Sequence, residues 1–587
     1  MVVADRSTAR PWLPYTAAIV AGCAVIAAAY LIVRPAADVG CTPLEVSSSI
    51  EKDVLLGELA DRYNKSDRRV GDRCAVVTVH GLASGAATDA LAGGWAVKQP
   101  GLPQPQVWLP TSSLWTGQLT LLDEAAGRPP QTPGQYPSIA NSPLVIAMPK
   151  PKGELIRQQG PLGWGEILGS SGRTGWAAFG RPEWGRFTFG KVNPHQSTSG
   201  LAATIATYYA AINRASDLTE SDLANPAVTQ FVRRIEANVS HYSDDIVDLL
   251  ENRAEADLSG TGTAAPTDMS AVVTQEELVY QYNEGELSPN RGEKPRVPLV
   301  AVYPKEGTFN LDHPYVVLPS ASPEQRDAAA DFLAFLREPP QQQSFSRLGF
   351  RDHQRHASES LIASVGGRDA QDLAYFEPPD PTVVKAIRTG WGTLRKKANI
   401  LVAVDTSGSM NAKIGDQTRF QVATRAAAKG FGLLNSEDQV ALWSFSSETG
   451  QRPKAPYSEE VRLSAFDQKT LTKELNGLHV EGGTALYATV RAAHRHMLDN
   501  YDESRINAVV VLTDGQNEYN RDNNLDRLLR DVALDPNRPI KIFCIAFDEK
   551  SDFGTLDRIA KASAGKAFDA RDPAKIDDAF VKLVSSF

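Results

Sequence analysis

The fold of the C-terminal part of the chain is indicated most clearly by the sequence Asn399-Ile-Leu-Val-Ala-Val-Asp-Thr-Ser-Gly-Ser409. Its apolar residues follow one another without alternation, and the run ends in the carboxylate of Asp405. Such runs are typical of parallel strands that are buried on both faces. Three further runs share this character: Val440–Phe445, Val509–Asp514 and Lys541–Phe547.

Amphipathic helices are predicted between these runs. In Arg419–Leu434, apolar side chains recur at steps of three and four residues, which places them on one helical face. Strands that alternate with such helices predict a doubly wound, Rossmann-like α/β sheet. In sheets of this kind, ligands bind at the carboxyl ends of the strands.

Oxygen-bearing side chains lie at those predicted strand ends. The candidate metal ligands are Asp405, Ser407, Ser409, Thr484 and Asp514. Mg²⁺ prefers an octahedron of oxygen ligands, and Mn²⁺ or Ca²⁺ would be held by the same groups. Because the hydroxyls are neutral, only two carboxylates offset the charge of the metal, which stays electrophilic. The alternative is a degenerate site, since an acid that ends a strand is often only a helix cap.

This set closely resembles the metal-ion-dependent adhesion site of von Willebrand factor A domains and integrin I domains. The resemblance covers nearly all of residues 399–587, including Leu556–Pro573. It implies a protein partner that presents an Asp or Glu carboxylate to complete the shell of the metal.

Residues 40–380 alternate short β-like runs with helical stretches, which predicts parallel α/β sheets. The predicted strands are Cys74–Gly81, Pro105–Pro110, Ser142–Pro149, Phe187–Val192 and Val297–Pro304. The predicted helices are Ser47–Ser66, Gly200–Ile212, Pro226–Glu236, Thr274–Tyr282 and Pro323–Leu336. Residues 381–398, which follow a proline-rich join, are expected to connect the two regions through a helix over Val383–Lys397.

Four loops of this region are rich in Ser and Thr and precede predicted helices. One is Thr274-Gln275-Glu276, and the candidate ligand residues of the others are Ser84, Thr111, Ser112, Ser197, Thr198 and Ser199. Free N–H groups at several helix N-termini would suit a small anionic solute. Ordinary N-capping is the alternative interpretation of each single loop.

Residues 40–380 resemble the periplasmic-type solute-binding proteins of ABC importers, in the branch that includes molybdate and sulfate binders. The resemblance rests on Val107–Trp115, Asn141–Lys150, Asn193–Ala203 and Asp327–Pro339. It implies two α/β lobes with the ligand in the cleft between them. The chain would cross between the lobes near Ser142–Pro149 and Val297–Pro304.

The N-terminal segment Tyr15–Val33 has 19 residues and no charge. At 1.5 Å per residue, a helix of this length crosses a hydrocarbon core of about 30 Å. We therefore expect residues 1–39 to hold a cytoplasmic N-terminus and a single signal anchor, with the bulk of the chain outside the cytoplasm. Acylation of Cys23 as a lipoprotein and a cleaved signal peptide are the two alternatives.

Cys41 and Cys74 are predicted to form a disulfide, because both would follow the anchor into an oxidising compartment. Two unrelated buried thiols are the alternative. Cys544 lies inside the run Lys541–Phe547 and is expected to be a buried strand thiol.

The formal net charge of −9 argues against a nucleic-acid partner. No nucleophile–base pair is recognisable in the sequence, which favours a binding role over an enzymatic one. The leading hypothesis is a membrane-anchored adhesion protein that recognises a protein partner through its metal. The alternative is a solute receptor subunit of an importer, with the C-terminal region as a docking or regulatory module.

Overall fold

The computed structural model describes residues 40–584 except 67, 169–173, 260–268, 415, 448–454, 515, 536, 548–551 and 572–575. The predicted anchor Tyr15–Val33 and Cys23 therefore lie outside the described residues. Among the helices within that range, none is long and apolar enough to span a membrane.

The strands of the described residues are numbered in chain order. They are β1 Thr42–Ser48, β2 Ala75–Gly81, β3 Val107–Leu109, β4 Ser142–Pro149, β5 Phe189–Val192, β6 Val239–Ser243, β7 Ala271–Gln275, β8 Leu299–Val302, β9 Asn310–Leu311, β10 Val316–Val317, β11 Lys397–Asp405, β12 Lys413–Ile414, β13 Gln417–Thr418, β14 Gln439–Phe445, β15 Tyr457–Ala465, β16 Arg505–Thr513, β17 Ile540–Ala546 and β18 Ala567–Asp569.

The α-helices are numbered in the same way. They are α1 Asp53–Asn64, α2 Ser84–Gly93, α3 Trp95–Lys98, α4 Leu114–Ala125, α5 Lys150–Gln158, α6 Trp164–Leu168, α7 Thr198–Ile212, α8 Glu220–Leu223, α9 Pro226–Glu236, α10 Ile246–Ser259, α11 Glu276–Glu284, α12 Pro323–Leu336, α13 Pro339–Arg347, α14 Glu359–Val365, α15 Pro381–Leu394, α16 Arg419–Phe431, α17 Gln468–Asn476, α18 Leu486–Asp499, α19 Leu525–Asp531, α20 Phe553–Ala562 and α21 Ile576–Val584. Short 3₁₀ turns cover Gly175–Phe179, Pro182–Trp184, Ala370–Asp372 and Gly408–Asn411.

The N-terminal module consists of two α/β lobes. The first lobe has a sheet of order β10-β3-β1-β2, in which β1 runs parallel to β2 and β3. The second has the order β6-β5-β7-β4-β8, with β9 paired to β4. Because β4 and β9 are antiparallel, with Ser142 opposite Leu311, the two crossings between the lobes lie side by side. The first crossing lies near Ser142–Pro149, as expected. The second crossing was expected near Val297–Pro304, the segment that contains β8, but it lies after β8 in the chain.

Two predicted helices begin too early. The predicted helix Ser47–Ser66 includes the end of β1, where Ser47 lies opposite His80 in the parallel ladder, and the helix itself begins at Asp53. The predicted helix Thr274–Tyr282 begins at Glu276 because Thr274 and Gln275 end β7. In both places pairing with a neighbouring strand fixes the backbone, and a single sequence does not reveal that pairing.

The C-terminal module is a doubly wound sheet, as predicted. Its order is β15-β14-β11-β16-β17-β18, and only the edge strand β15 is antiparallel to its neighbour. One face of the sheet packs against α16 and α21, and the other packs against α18, α19 and α20. The chain leaves β11 toward β14 and later returns to β16 on the opposite side. The topological switch therefore lies at the carboxyl end of β11.

The predicted connecting segment 381–398 forms α15 and the start of β11. Asp380 caps this helix, because its Oδ1 accepts a hydrogen bond of 2.8 Å from the backbone N–H of Thr382. Val383, Ile387 and Trp391 are buried and belong to an apolar cluster that continues into both modules. The connection is thus a packed helix, and β11 begins at Lys397.

The predicted disulfide between Cys41 and Cys74 is present at the start of the first lobe. It ties the residue before β1 to the residue before β2, which are neighbouring parallel strands. Cys544 is a free thiol that is fully buried in β17, as expected.

Candidate functional site

The loop after β11 is organised around the side chain of Asp405, which is fully buried. Its Oδ1 accepts a hydrogen bond of 2.8 Å from the backbone N–H of Ser407. Its Oδ2 accepts one of 2.6 Å from the hydroxyl of Thr513 on the neighbouring strand β16. Both carboxylate oxygens are therefore fixed, and the loop is fixed with them.

Three of the predicted metal ligands form a continuous chain of oxygen atoms. The hydroxyl oxygens of Ser407 and Ser409 are 2.9 Å apart. The hydroxyl of Ser409 donates to Oδ1 of Asp514 at 2.8 Å. The parallel register of β11 and β16, with Val404 opposite Leu512, brings the two loops to the same edge of the sheet.

The loop that carries Thr484 is attached to the first loop by backbone hydrogen bonds. The N–H of Gly408 donates to the carbonyl of Gly482 at 2.8 Å, and the N–H of Glu481 donates to the carbonyl of Thr406 at 2.7 Å. Gly482 adopts a left-handed backbone with φ of 73°, which a glycine tolerates best. Thr484 is 1% exposed. All five predicted ligands therefore lie on three loops that are bonded to one another.

The electrostatics of these loops suit a cation. Burial raises the pKa of Asp405 to about 7, and the nearby charge of Asp514 adds to the rise. The guanidinium of Arg419 donates to Oδ2 of Asp514 at 2.8 Å. Two carboxylates and three hydroxyls are hard oxygen donors, so the residues fit Mg²⁺, Mn²⁺ or Ca²⁺ by their chemistry. A bound divalent cation would favour the ionised form of Asp405.

A second candidate site is a cavity between the two lobes that is open to solvent, with an empty volume of about 280 Å³ when that solvent space is included. It is lined by Ser49, Ile50, Glu51, Ala83, Ser84, Thr111, Gln196, Ser197, Thr198, Asp244, Asp245, Ile246 and Gln275. Four of the six predicted ligand residues line it: Ser84, Thr111, Ser197 and Thr198.

Ser112 and Ser199 do not line the cavity. The hydroxyl oxygen of Ser112 accepts a hydrogen bond of 3.3 Å from the N–H of Leu114, at the start of α4. Ser112 therefore contributes to the start of that helix. The hydroxyl oxygen of Ser199 accepts one of 3.3 Å from the side chain of Gln275. Ser199 thus supports a residue of the cavity from behind.

The carboxyl ends of six strands meet at the cavity. In the first lobe its lining follows β1, β2 and β3, and in the second lobe it follows β5 and β6 and includes the last residue of β7. The carboxyl ends of strands are where α/β sheets bind ligands. The two lobes therefore point their ligand-binding edges at each other.

Sequence reasoning missed the acidic side chains of this cavity. Glu51 fell inside the helix predicted over Ser47–Ser66, although it lies in the loop between β1 and α1. Asp244 and Asp245 follow β6, a strand that was not predicted. The signal for them was the β-like run Val239–Ser243, followed by two acids and a helix.

Comparison with known families agrees with this architecture. A model described as bacterial extracellular solute-binding protein matches residues 44–351, which is more than half of the 587-residue chain. The chain belongs to the bacterial extracellular solute-binding protein family. A model of the von Willebrand factor type A (VWA) domain matches residues 400–516. A solute-binding domain is thus followed by a VWA domain.

Individual relatives cover either the whole arrangement or one domain. The uncharacterized protein Rv1836c of Mycobacterium tuberculosis is 26% identical over 520 residues, which are 86% of this chain and 71% of the relative. A von Willebrand factor type A structure from Catenulispora acidiphila is 22% identical, with a TM-score of 0.28, and the match covers 32% of this chain and 42% of that one. The periplasmic binding protein AfuA of Actinobacillus pleuropneumoniae is 13% identical, with a TM-score of 0.39, and the match covers 61% and 99%.

Proposed function

We propose that this protein is an extracytoplasmic adhesion protein whose VWA domain recognises an acidic residue of a protein partner through a divalent metal ion. The metal would be Mg²⁺, with Mn²⁺ or Ca²⁺ as substitutes, and its ligands would be the side chains of Asp405, Ser407, Ser409, Thr484 and Asp514. The apolar stretch Tyr15–Val33 would anchor the chain in the membrane. The solute-binding domain would take a small ligand in the cavity between its lobes.

The observation that carries this proposal is the oxygen chain from Ser407 through Ser409 to Asp514, with distances of 2.9 and 2.8 Å. Hydroxyl and carboxylate oxygens at such spacing can face one cation when the hydroxyl protons turn away. The two carboxylates match the formal charge of a divalent ion, and the other three groups are neutral hydroxyls that donate little charge to it. The metal would therefore still attract a further anionic ligand, and a carboxylate from a partner would complete its shell.

The second candidate function is that of a solute receptor for an importer. It is favoured by the cavity, because the carboxyl ends of strands from two sheets converge on one polar space, and such strand ends are where α/β sheets bind ligands. In that case the VWA domain would dock or regulate.

The adhesion proposal is tested with the full-length chain in two steps. Calorimetric titration with Mn²⁺ measures metal binding, and Asp514→Asn is expected to lower the affinity on the order of 100-fold because it removes a charged ligand. Acetate then stands in for the carboxylate of the partner. Bound Mn²⁺ should broaden the methyl signal of acetate in the proton NMR spectrum, and the variant should lose this broadening.

Asp526→Asn is the matched control, since it removes the same charge from an exposed position on α19. It should leave Mn²⁺ affinity and the broadening of acetate unchanged. The proposal is wrong if Asp514→Asn binds Mn²⁺ as tightly as the parent chain. Metal binding without any effect on acetate would restrict the metal to a structural role.

A further inference from the structure

The cavity between the lobes carries acidic side chains from both sides. Glu51 enters from the first lobe, while Asp244 and Asp245 enter from the second. Burial and the charges of Asp248 and Glu51 raise the pKa of Asp245 to about 6. Some repulsion between Glu51 and Asp245 therefore remains across the cavity, although Lys52 lies 3.4 Å from Glu51 and offsets part of its charge. A positive charge placed between them would relieve that repulsion.

Gln275 supplies an unused hydrogen-bond acceptor in the same place. Its side chain lines the cavity and is 1% exposed. Its Nε2 donates to the hydroxyl of Ser199 at 3.3 Å, and its Oε1 has no hydrogen-bond partner. A buried acceptor without a partner is unfavourable, so this atom is available to accept a hydrogen bond from a ligand.

The positive charges that an anion would need are lacking. Of the described residues that line the cavity, none is a lysine, arginine or histidine. The ammonium of Lys52 is buried and does not line the cavity; it donates to the hydroxyl of Ser49 and to the carbonyl of Leu109, the latter at 3.0 Å, and lies 3.4 Å from Glu51.

Several N–H and O–H donors that could attract an anion are already hydrogen-bonded to carboxylates of the protein. Oδ1 of Asp245 accepts the N–H of Val247 at 2.8 Å in the first turn of α10. Oε1 of Glu51 accepts the hydroxyls of Ser49 at 2.6 Å and Thr111 at 2.8 Å. These donors are therefore directed at carboxylates of the chain.

We propose that the cavity binds a small organic cation with N–H donors, such as a primary ammonium compound, in place of the anion expected from the Ser- and Thr-rich loops. Its ammonium group would lie between Glu51 and Asp245 and donate to Oε1 of Gln275. The apolar part would contact Ile50 and Ile246. The described lining contains no aromatic ring, which favours hydrogen-bonded ammonium over a quaternary ammonium held by cation–π contacts.

This inference rests on the proposal that the cavity is a ligand site, and it names the chemical class of the ligand. The test is calorimetric titration of the full-length chain with 1,4-diaminobutane. The neutral isostere 1,4-butanediol, sulfate and molybdate are titrated in parallel, and Ca²⁺ is titrated into Asp514→Asn so that the proposed metal site of the VWA domain does not contribute. We expect binding of the diamine alone.

The charge of Asp245 should decide the affinity. Asp245→Asn keeps the hydrogen bond to Val247 and should lower the affinity for the diamine by about tenfold or more, because a charged hydrogen bond is lost. Gln275→Glu adds a carboxylate and should raise the affinity for the diamine. Asp327→Asn, which removes an acid from the exposed surface of α12, is the matched control and should change nothing.

The results of these titrations distinguish an error in the chemical class of the ligand from an error in assigning the cavity as a ligand site. Binding of sulfate or molybdate that Asp245→Asn leaves intact or strengthens would overturn the cationic class but keep the cavity as a ligand site. Equal binding of the diol would assign a neutral hydroxyl ligand, and binding of Ca²⁺ alone would assign an inorganic one; both would overturn the inference. No binding of any probe at millimolar concentration would overturn the inference and the ligand site together.

Discussion

The two candidate sites of this molecule both present carboxylates at the carboxyl ends of strands, but they are assembled differently. In the VWA domain, Asp405 and Asp514 extend from neighbouring strands of one sheet. Backbone and side-chain hydrogen bonds hold their loops together. In the solute-binding domain, Glu51 and Asp245 belong to different lobes and to different sheets.

This difference has a physical consequence. The acids of the VWA domain keep their separation as long as one sheet stays folded, so the candidate site is preorganised for the proposed ion. The separation of the acids in the cavity depends on how the lobes are joined. The cavity should therefore be sensitive to changes at the lobe junction that leave the VWA site intact.

The largest expected effect comes from the buried ion pair beside the cavity. Arg351 donates to both carboxylate oxygens of Glu276, at 2.7 and 2.9 Å, and both side chains are fully buried. Glu276 directly follows Gln275 at the start of α11. Arg351→Leu leaves an uncompensated carboxylate and should lower the free energy of unfolding by roughly 3–5 kcal/mol, as measured by urea denaturation.

The same variant separates the two sites. Diamine binding should be lost, while Mn²⁺ binding by the VWA domain should persist in buffer without urea. Arg347→Leu is the control, since Arg347 is exposed at the end of α13, and it should change stability by less than about 0.5 kcal/mol. An equal loss of Mn²⁺ affinity in Arg351→Leu would show that the sites depend on one another.

A smaller effect is expected from the pH dependence of Asp245. Its pKa in the folded chain, about 6, is raised above the ordinary value of 3.8 by burial and by Asp248, which itself pairs with Lys566 of the VWA domain. Because its pKa is higher in the folded chain, Asp245 makes its full favourable contribution to the free energy of unfolding at pH values below its pKa in the unfolded chain. This contribution is lost as the pH rises through about 6.

Asp245→Asn should therefore stabilise the ligand-free chain at pH 8 by roughly 1–2 kcal/mol, and the gain should vanish near pH 4. Thermal unfolding across this pH range measures the difference. The variant would thus be more stable without ligand but would bind the diamine less tightly. Such an inverse relation between stability and function is common at binding sites. A gain that is the same at every pH would exclude titration of Asp245 as its cause.

The local character of the VWA site explains why its residues could be predicted. Asp405, Ser407 and Ser409 lie within five consecutive residues, and Asp514 ends a buried run. The doubly wound sheet then follows from the apolar runs themselves. Thr484 was proposed as a ligand because it precedes a helix at the same predicted edge.

The charge of the cavity could not be predicted in this way. Ser and Thr hydroxyls serve anions and cations equally, so the loops alone do not fix the sign of the ligand. The sign depends on Glu51 and Asp245, which become neighbours only when the two lobes face each other. Glu51 was also concealed by the helix predicted over Ser47–Ser66, because the end of β1 is defined by pairing with β2.

The weakest effect is expected at Arg419, which contacts one of the candidate metal ligands of the VWA domain. Its side chain is 15% exposed and pairs with Asp514 at 2.8 Å. It therefore competes with a divalent ion for that carboxylate. Arg419→Ala should raise Mn²⁺ affinity by about fivefold, or about 1 kcal/mol, in calorimetric titration. Arg425→Ala, at an exposed position of the same helix, should have no effect. A fall in affinity would show that Arg419 positions Asp514 for the metal instead of competing with it.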